Sequence, residues 1–344
     1  MYDSPYTDRI MTVFRVNLAT GQLAKLHRGE RDTIDFLLNA QGVPVVRVDS
    51  NRASNRWSIH ALDGNNARLF LQGQSLTGAP QNLVGFTQDG SLAFIDDPDE
   101  RGRDVLYSVP VQGGAAKVLM ASDKYDVESA IQDPWIHTVV GAEFYEELAR
   151  QHFIDADLSA VHARLQAKDA DASVRLLNWS RDRARFVVYM QRASDSGAFY
   201  LYDRAQDKLG LIGKRYPELR GNALGDRLAV NYPARDGVRV PAYITMPAGK
   251  QAKGLPLVVL VHGGPTARDN FEFDWWAAFL ASRGYAVVQP NYRGSGGYGH
   301  AWQGAGYQQW RVCSIGRRYV DAGALSLCRQ CGRRIGSADD AEGH

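Results

Sequence analysis

Residues Leu257–Pro265 read LVVLVHGGP. Five consecutive apolar residues, most of them β-branched, predict a strand buried on both faces, as in a parallel sheet. The run stops abruptly at His262-Gly263-Gly264-Pro265. Two successive glycines let the backbone take positive φ and let another group come close. A loop of this kind, directly after a buried strand, can aim backbone N–H groups at a developing oxyanion. It is equally the tight turn with which a parallel strand ends, and the tetrapeptide alone does not choose.

Working outward, Arg227–Tyr232 and Val238–Thr245 predict two strands joined by a two-residue Asp236-Gly237 hairpin turn. After the loop, Asp274 is a candidate N-cap. Trp276, Phe279 and Leu280 then fall at i, i+3, i+4 and predict the apolar face of a helix, with Gly284 just past its end. Tyr285–Gln289 predicts a second buried strand, stopped by Pro290. Strand, helix, strand at this spacing is a βαβ unit, hence a parallel pair with a right-handed crossover.

Upstream, to about Lys214, short strands alternate with turn signals. Phe14–Asn17 leads through Thr20-Gly21 to Leu23, Trp57–His60 through Asp63-Gly64 to Leu69, and Leu106–Val109 through Gly113-Gly114 to Val118. Phe153-Ile154-Asp155 and Tyr200–Asp203 are expected to repeat the unit. The spacing of roughly 45–50 residues fits β-propeller blades. A second piece recurs at Gln88–Phe94, Ser180–Val187 and, more weakly, Ala40–Val45, each a polar turn opening an alternating inner strand. Four blades and a partial one fit, and each must stack on a neighbour to bury its faces; a series of hairpins in a β-sandwich is the alternative. Glu143–Gln166 is expected to be a decorated blade whose charges form a solvated face. Pro217, Gly221 and Gly225 mark a linker.

The chain has 344 residues, 44% apolar, with a net charge of +2. Two domains are the expectation at this length. The charge gives no reason to expect nucleic acid or an anionic membrane as partner. No run of 18 apolar residues predicts a transmembrane helix, and the first residues, MYDSPYTDRI, do not resemble a signal peptide. Cysteine is absent before Cys313, then Cys313, Cys328 and Cys331 fall close together.

Tyr232–Trp310 resembles the start of the catalytic domain in the prolyl oligopeptidase family of serine peptidases, nearest to its acylaminoacyl-peptidase and dipeptidyl-peptidase-like bacterial members. The pieces are Arg235-Asp236-Gly237 with Pro241-Ala242-Tyr243, then Leu257–Pro265, then Asn291-Tyr292-Arg293-Gly294-Ser295-Gly296-Gly297-Tyr298-Gly299, then Gly304–Trp310. HGGP and NYRGSGGYG together are specific where either alone is weak. The resemblance implies a partial β-propeller over residues 1–214 that limits access to short peptides, a linker over 215–225 and the N-terminal part of an α/β-hydrolase domain over 226–310. It makes His262-Gly263-Gly264 the loop that completes an oxyanion hole, with the Gly264 N–H as a donor. His262 stands where some relatives carry a tyrosine whose hydroxyl does that work, and it is not the catalytic base. Asn291, Tyr292, Arg293 and Gly294 are implied to shape a loop beneath the active site, or are a Gly-rich turn and nothing more. Short peptides are the implied substrate. No cofactor or metal is implied, and oligomeric state is left open.

No serine has glycine at both −2 and +2: Arg293 precedes Ser295 and Val312 precedes Ser314. Only His300 and His344 follow the HGGP loop. The family's nucleophile, acid and base are therefore expected to be absent from this chain. The resemblance is expected to end at Trp310. Residues 311–344 read as an aberrant, poorly ordered tail. One codon choice for Gly316–Tyr319, shifted by one base, yields Asp-Asp-Val-Thr, where the family carries aspartates; an internal deletion is the rival account. Cys328-Arg329-Gln330-Cys331 is at most half a zinc site. Family propellers carry more blades than are visible, so the start too is expected to be cut, leaving cytoplasm or periplasm open. The reading is a fragment of a serine peptidase acting through an acyl-enzyme. The alternatives are a non-catalytic β-propeller module that binds peptide or protein, and an esterase of the same hydrolase fold, which a propeller disfavours.

Overall fold

The structure is a computed structural model that describes residues 10–74, 83–219, 224–234, 236–250, 254–264 and 266–307. Its first strands, β1 (Thr12–Val16) and β2 (Leu23–Arg28), form an antiparallel hairpin. Two four-stranded antiparallel sheets follow, each in sequential order. One holds β3 (Thr33–Leu38), β4 (Pro44–Asn51), β5 (Arg56–Asp63) and β6 (Asn66–Gln74). The next holds β7 (Leu83–Phe86), β8 (Leu92–Asp96), β9 (Val105–Val109) and β10 (Lys117–Met120). A three-stranded sheet comes third, of β11 (Val127–Gln132), β12 (Val139–Tyr145) and β13 (Ala149–Phe153). Helix α1 (Ala156–Gln166) precedes the last sheet of the series, β14 (Ser173–Trp179), β15 (Arg185–Arg192), β16 (Asp195–Asp203) and β17 (Lys208–Lys214).

The chain divides into two compact units, and the cut runs through β11 and β12. In the first unit, residues 1–99, 105–121 and 130–141, sheets β3–β6 and β7–β10 share one core. Val46, Val48 and Ile59 pack with Phe86, Leu92 and Phe94. The second strand of each sheet lies inside the stack. Leu92–Ile95 is consequently buried without interruption, and Pro44–Ser50 nearly so, which corrects the expected alternation. In β8 both parities are apolar, as a strand covered on both faces requires, whereas the buried run of β4 includes Arg47 and Asp49, which pair at 2.8 Å.

The second unit, residues 100–104, 122–129 and 142–344, holds β14–β17 and everything that follows. Here the expected hairpin at Phe153-Ile154-Asp155 is a strand end and a helix cap instead. The Asp155 carboxylate accepts the N–H groups of Asp157 and Leu158, both at 3.0 Å. Leu158, Val161 and Leu165 bury one side of α1. The expected solvated face of Glu143–Gln166 is corrected at Glu143, which lies largely buried, 3.2 Å from Arg175, whereas Glu147, His152 and Arg164 are exposed.

Beyond β17 come β18 (Arg227–Pro233), β19 (Arg239–Thr245), β20 (Leu257–Val259), α2 (Trp275–Ser282), β21 (Ala286–Pro290) and the short α3 (His300–Gly304). The sheet order is β18-β19-β21-β20. The first pairs are antiparallel, and β20 with β21 is parallel, with α2 in the crossover. The β18–β19 turn is longer than the expected two residues. Ala234 N–H still bonds Val238 O at 2.8 Å, and Gly237 takes φ +82.

Strand β21 is buried throughout, whereas β20 is half-buried. Among the described residues only β21 pairs with β20, so the strand expected to be covered on both faces is an edge. The helix also turns differently from expectation. Asp274 caps it, accepting from Ala277 N–H at 2.7 Å, and Ala277 and Ala281 are its buried residues. Trp276 and Phe279 are about half exposed (53% and 50%). Alanines four apart bring the backbone close to the sheet, a fit that large rings would prevent. Among the described residues no helix is long and apolar enough to cross a membrane.

Candidate active site

The parallel pairing of β20 continues through Leu260, whose N–H bonds Val288 O at 2.9 Å, and delivers the chain to His262. Gly264 has φ +120, and a Cβ there would lie 2.7 Å from Ala267 N and 2.9 Å from Ala267 Cβ. Only glycine fits this bend. Gly263 faces open space, and both glycines are exposed. No hydrogen bond among the described residues engages either N–H. Two donors thus stand at the carboxyl end of a parallel strand, where ligands of open α/β sheets bind, and where an oxyanion would find them.

His262 is stacked on Tyr292, with ring centroids 4.4 Å apart and planes 11° from parallel. Its Nε2 lies 2.8 Å from Ser295 Oγ and its Nδ1 2.9 Å from Gly263 O. The Tyr292 hydroxyl donates to His262 O at 2.9 Å. With both ring nitrogens engaged, the imidazole has no N–H left for an oxyanion and does not take over a tyrosine hydroxyl's role. Burial pushes its titration below the ordinary value, as does Arg268, while the bond to Gly263 opposes this.

Beneath the loop runs a buried polar network. Asn291, wholly buried, accepts Asp269 N–H at 2.8 Å and donates to Asp269 O at 2.9 Å and to the Tyr298 hydroxyl at 2.7 Å. One side chain thereby grips both ends of a residue that follows the glycines. Arg227 donates to Thr245 Oγ1 and Gln289 Oε1, both at 2.7 Å, and to Asn270 O at 2.8 Å. Gln289 in turn donates to Asp269 Oδ1 at 3.1 Å. Burial, reinforced by Asp274, raises the Asp269 carboxyl to about 6 against the pull of Arg227. The guanidinium of Arg268 lies 4.4 Å from the centroid of the Tyr298 ring and 5.8 Å from that of Tyr145.

Of the seven candidate residues, the structure gathers His262, Gly263, Gly264 and Tyr292 into one cluster and sets Asn291 behind it. Arg293 turns the other way and pairs with Asp236 in the β18–β19 turn, which joins two separate pieces of the motif. Gly294, at φ +106, bonds Trp302 O at 2.9 Å through its N–H. Sequence reasoning missed Arg268, Asp269 and Gln289. The signal was a glutamine inside the apolar run AVVQP, since a buried carboxamide requires partners. Among the described residues no group of three or more His, Cys, Asp or Glu side chains is gathered to hold a metal. Cys328 and Cys331 lie outside the described residues.

The comparisons with known proteins bear on the fold. The model of the prolyl oligopeptidase family matches residues 271–315. Dipeptidyl aminopeptidase BIII of Pseudoxanthomonas mexicana is 26% identical over 321 residues, 87% of this chain and 44% of that protein. The chain is similar to members of the prolyl oligopeptidase family. Dipeptidyl peptidase family member 6 of Caenorhabditis elegans is 30% identical over 159 residues, 40% of this chain and 22% of that protein. Among solved structures, Porphyromonas gingivalis dipeptidyl peptidase 4 superposes with a TM-score of 0.57 at 16% identity, covering 88% of this chain and 44% of that one. A puromycin-hydrolyzing peptidase of Mycobacterium tuberculosis gives 0.57 at 21% identity, covering 85% and 46%. The chain therefore spans less than half the length of these relatives. Its fold is a partial β-propeller followed by the first part of an α/β-hydrolase domain. The family match runs past Trp310, where the resemblance was expected to stop.

Proposed function

We propose that this chain is part of a serine peptidase acting on short peptides, to which it contributes the oxyanion loop and the propeller. The observation that carries the reading is the pair of exposed glycines, Gly263 and Gly264, whose N–H groups make no hydrogen bond among the described residues. In the acyl-enzyme route a serine attacks the scissile carbonyl and a histidine takes its proton. The negative charge then grows on the carbonyl oxygen, where N–H donors on a fixed loop stabilise it without reorganising. The relatives' names, dipeptidyl aminopeptidase and dipeptidyl peptidase, support short peptides as the substrate class. The nucleophile, acid and base are absent from the chain as written. No serine stands in Gly-x-Ser-x-Gly, and Ser295, although hydrogen-bonded to a histidine, is 0% exposed.

The chain is accordingly expected neither to hydrolyse peptide p-nitroanilides nor to label with a fluorophosphonate. Stoichiometric labelling of one serine would overturn this. A dipeptidyl boronate, held as its tetrahedral anion at alkaline pH, is expected to shift the Gly263 and Gly264 amide resonances. Unmoved amides would sink the oxyanion reading. A second reading, a propeller that binds peptide without turnover, has its own support in the first unit. A cavity of about 470 Å³ there is lined by Gln41, Thr87, Gln88, Gln112 and Ile136, among others. Calorimetric titration with uncharged oligopeptides tests it.

A further inference from the structure

The carbonyl of Gly263 and the N–H of Gly264 are two ends of one peptide unit. In a trans unit they share a plane and point in opposite directions. Whatever holds the carbonyl therefore aims the N–H. The holder is His262, whose Nδ1 lies 2.9 Å from Gly263 O. A carbonyl oxygen only accepts, so Nδ1 carries the proton at this contact. A neutral imidazole has one N–H, which leaves Nε2 as an acceptor. Ser295 Oγ stands 2.8 Å from that nitrogen, with a hydroxyl able to donate. Burial lowers the titration of His262, which favours the neutral ring.

The surroundings restrict each member. Stacking on Tyr292 fixes the ring plane. The Ser295 N–H bonds Tyr292 O at 3.0 Å, and the next residue, Gly296, donates its N–H to Thr266 O at 3.0 Å. A Cβ on Gly296 would lie 2.6 Å from that oxygen. The turn after β21 therefore grips the glycine loop on both sides. Ser295 is wholly buried, so a substrate carbonyl has no route to its hydroxyl, and the serine–histidine contact is not a nucleophile with its base.

We propose that Ser295 and His262 are positioning residues that aim the Gly264 N–H. The Ser295 hydroxyl selects the Nδ1–H tautomer of His262, that N–H holds the Gly263 carbonyl, and the shared peptide plane turns the Gly264 N–H away from the ring toward solvent. The catalytic meaning of the relay rests on the oxyanion reading of the loop; its geometry does not.

The test uses the whole chain labelled with ¹⁵N-histidine and ¹⁵N-glycine at pH 7. Long-range proton–nitrogen correlation reports which ring nitrogen bears the proton, and His262→Gln assigns the signal by its loss. The unmutated chain is expected to show His262 as the Nδ1–H form in roughly fivefold excess or more, the bias one net hydrogen bond confers. A dominant Nε2–H form overturns the relay, and this measurement needs no variant to fold. Ser295→Ala is expected to mix the tautomers and shift the Gly264 amide resonance, and Ser295→Thr, which keeps the hydroxyl, to restore both. An alanine variant with tautomer and Gly264 amide unchanged also overturns it. The boronate titration is read separately. The expected tautomer with amides that ignore boronate removes the oxyanion reading and leaves the relay; the wrong tautomer removes the relay alone.

Discussion

Asp269 shows what burial does to one carboxyl group behind the glycine loop. Its Oδ1 receives Gln289, but its Oδ2, buried, has no hydrogen-bond partner among the described residues. Burial and Asp274 raise the carboxyl from an ordinary 3.8 to about 6. The folded state thus holds this proton more tightly than the unfolded chain does. Asp269 therefore favours folding below about pH 4, and that contribution is lost as pH rises through about 6, up to about 3 kcal/mol for a shift of this size. Asp269→Asn keeps the acceptor and removes the charge. Urea denaturation from pH 4 to 7.5 is expected to show the unmutated chain losing stability relative to this variant. Parallel profiles would contradict the assignment.

At the scale of elements, α1 and α2 show where caps and packing faces decide. Asp155 caps α1 and also receives Arg183 Nη1 on both carboxylate oxygens, each at 2.9 Å. Asp155→Ala is expected to destabilise the chain by about 2 kcal/mol, the upper part of the range for a lost cap. Asp155→Ser retains a cap and is expected to recover about half. Hydrogen exchange at Asp157 and Leu158 localises the effect. For α2 the expected contrast lies between faces. Ala277→Leu, overpacking the buried side, is expected to cost about 1–3 kcal/mol. Trp276→Gln, on the open side, is expected to stay within about 0.5 kcal/mol. Equal costs in thermal denaturation would mean that the aromatic side is the one that packs.

Across the second unit, charge is buried where separate stretches of chain meet. Arg175 on β14 lies 3.2 Å from Glu143 on β12 and 3.0 Å from Glu272, in the segment before α2. All three side chains are at most 18% exposed. Burial raises Glu143 despite Arg175, whereas at Arg175 burial works against the guanidinium but Glu272, Glu143 and Tyr145 together raise it. Removing the one cation strands two buried acids, so Arg175→Ala is expected to cost about 3–5 kcal/mol. Glu143→Gln, which leaves a single ion pair, is expected to cost much less. Chemical denaturation of both variants decides whether the triad matters to the unit or merely decorates it.

The local signals of this chain were those written within a few residues: the turn glycines, the Asp274 cap, the recurring strand–turn–strand unit and the HGGP and NYRGSGGYG motifs. Each depends on backbone conformation or short-range hydrogen bonding, which neighbouring residues specify. From them the propeller repeat and the βαβ unit could be read. Only the tertiary structure decided which face of α2 packs, because an aromatic stripe and an alanine stripe are both apolar and only the distance to the sheet chooses between them. The same holds for β20, where an apolar run reads as buried whether or not a neighbouring strand lies beside it. The site is the extreme case. His262 is about thirty residues from Tyr292 and Ser295 in the chain, and their contact exists because a parallel pair sets two loops side by side at one end of the sheet. No period or spacing in the sequence reports which atom of a side chain faces another, and that is what determines whether a buried serine attacks a substrate or holds a ring in place.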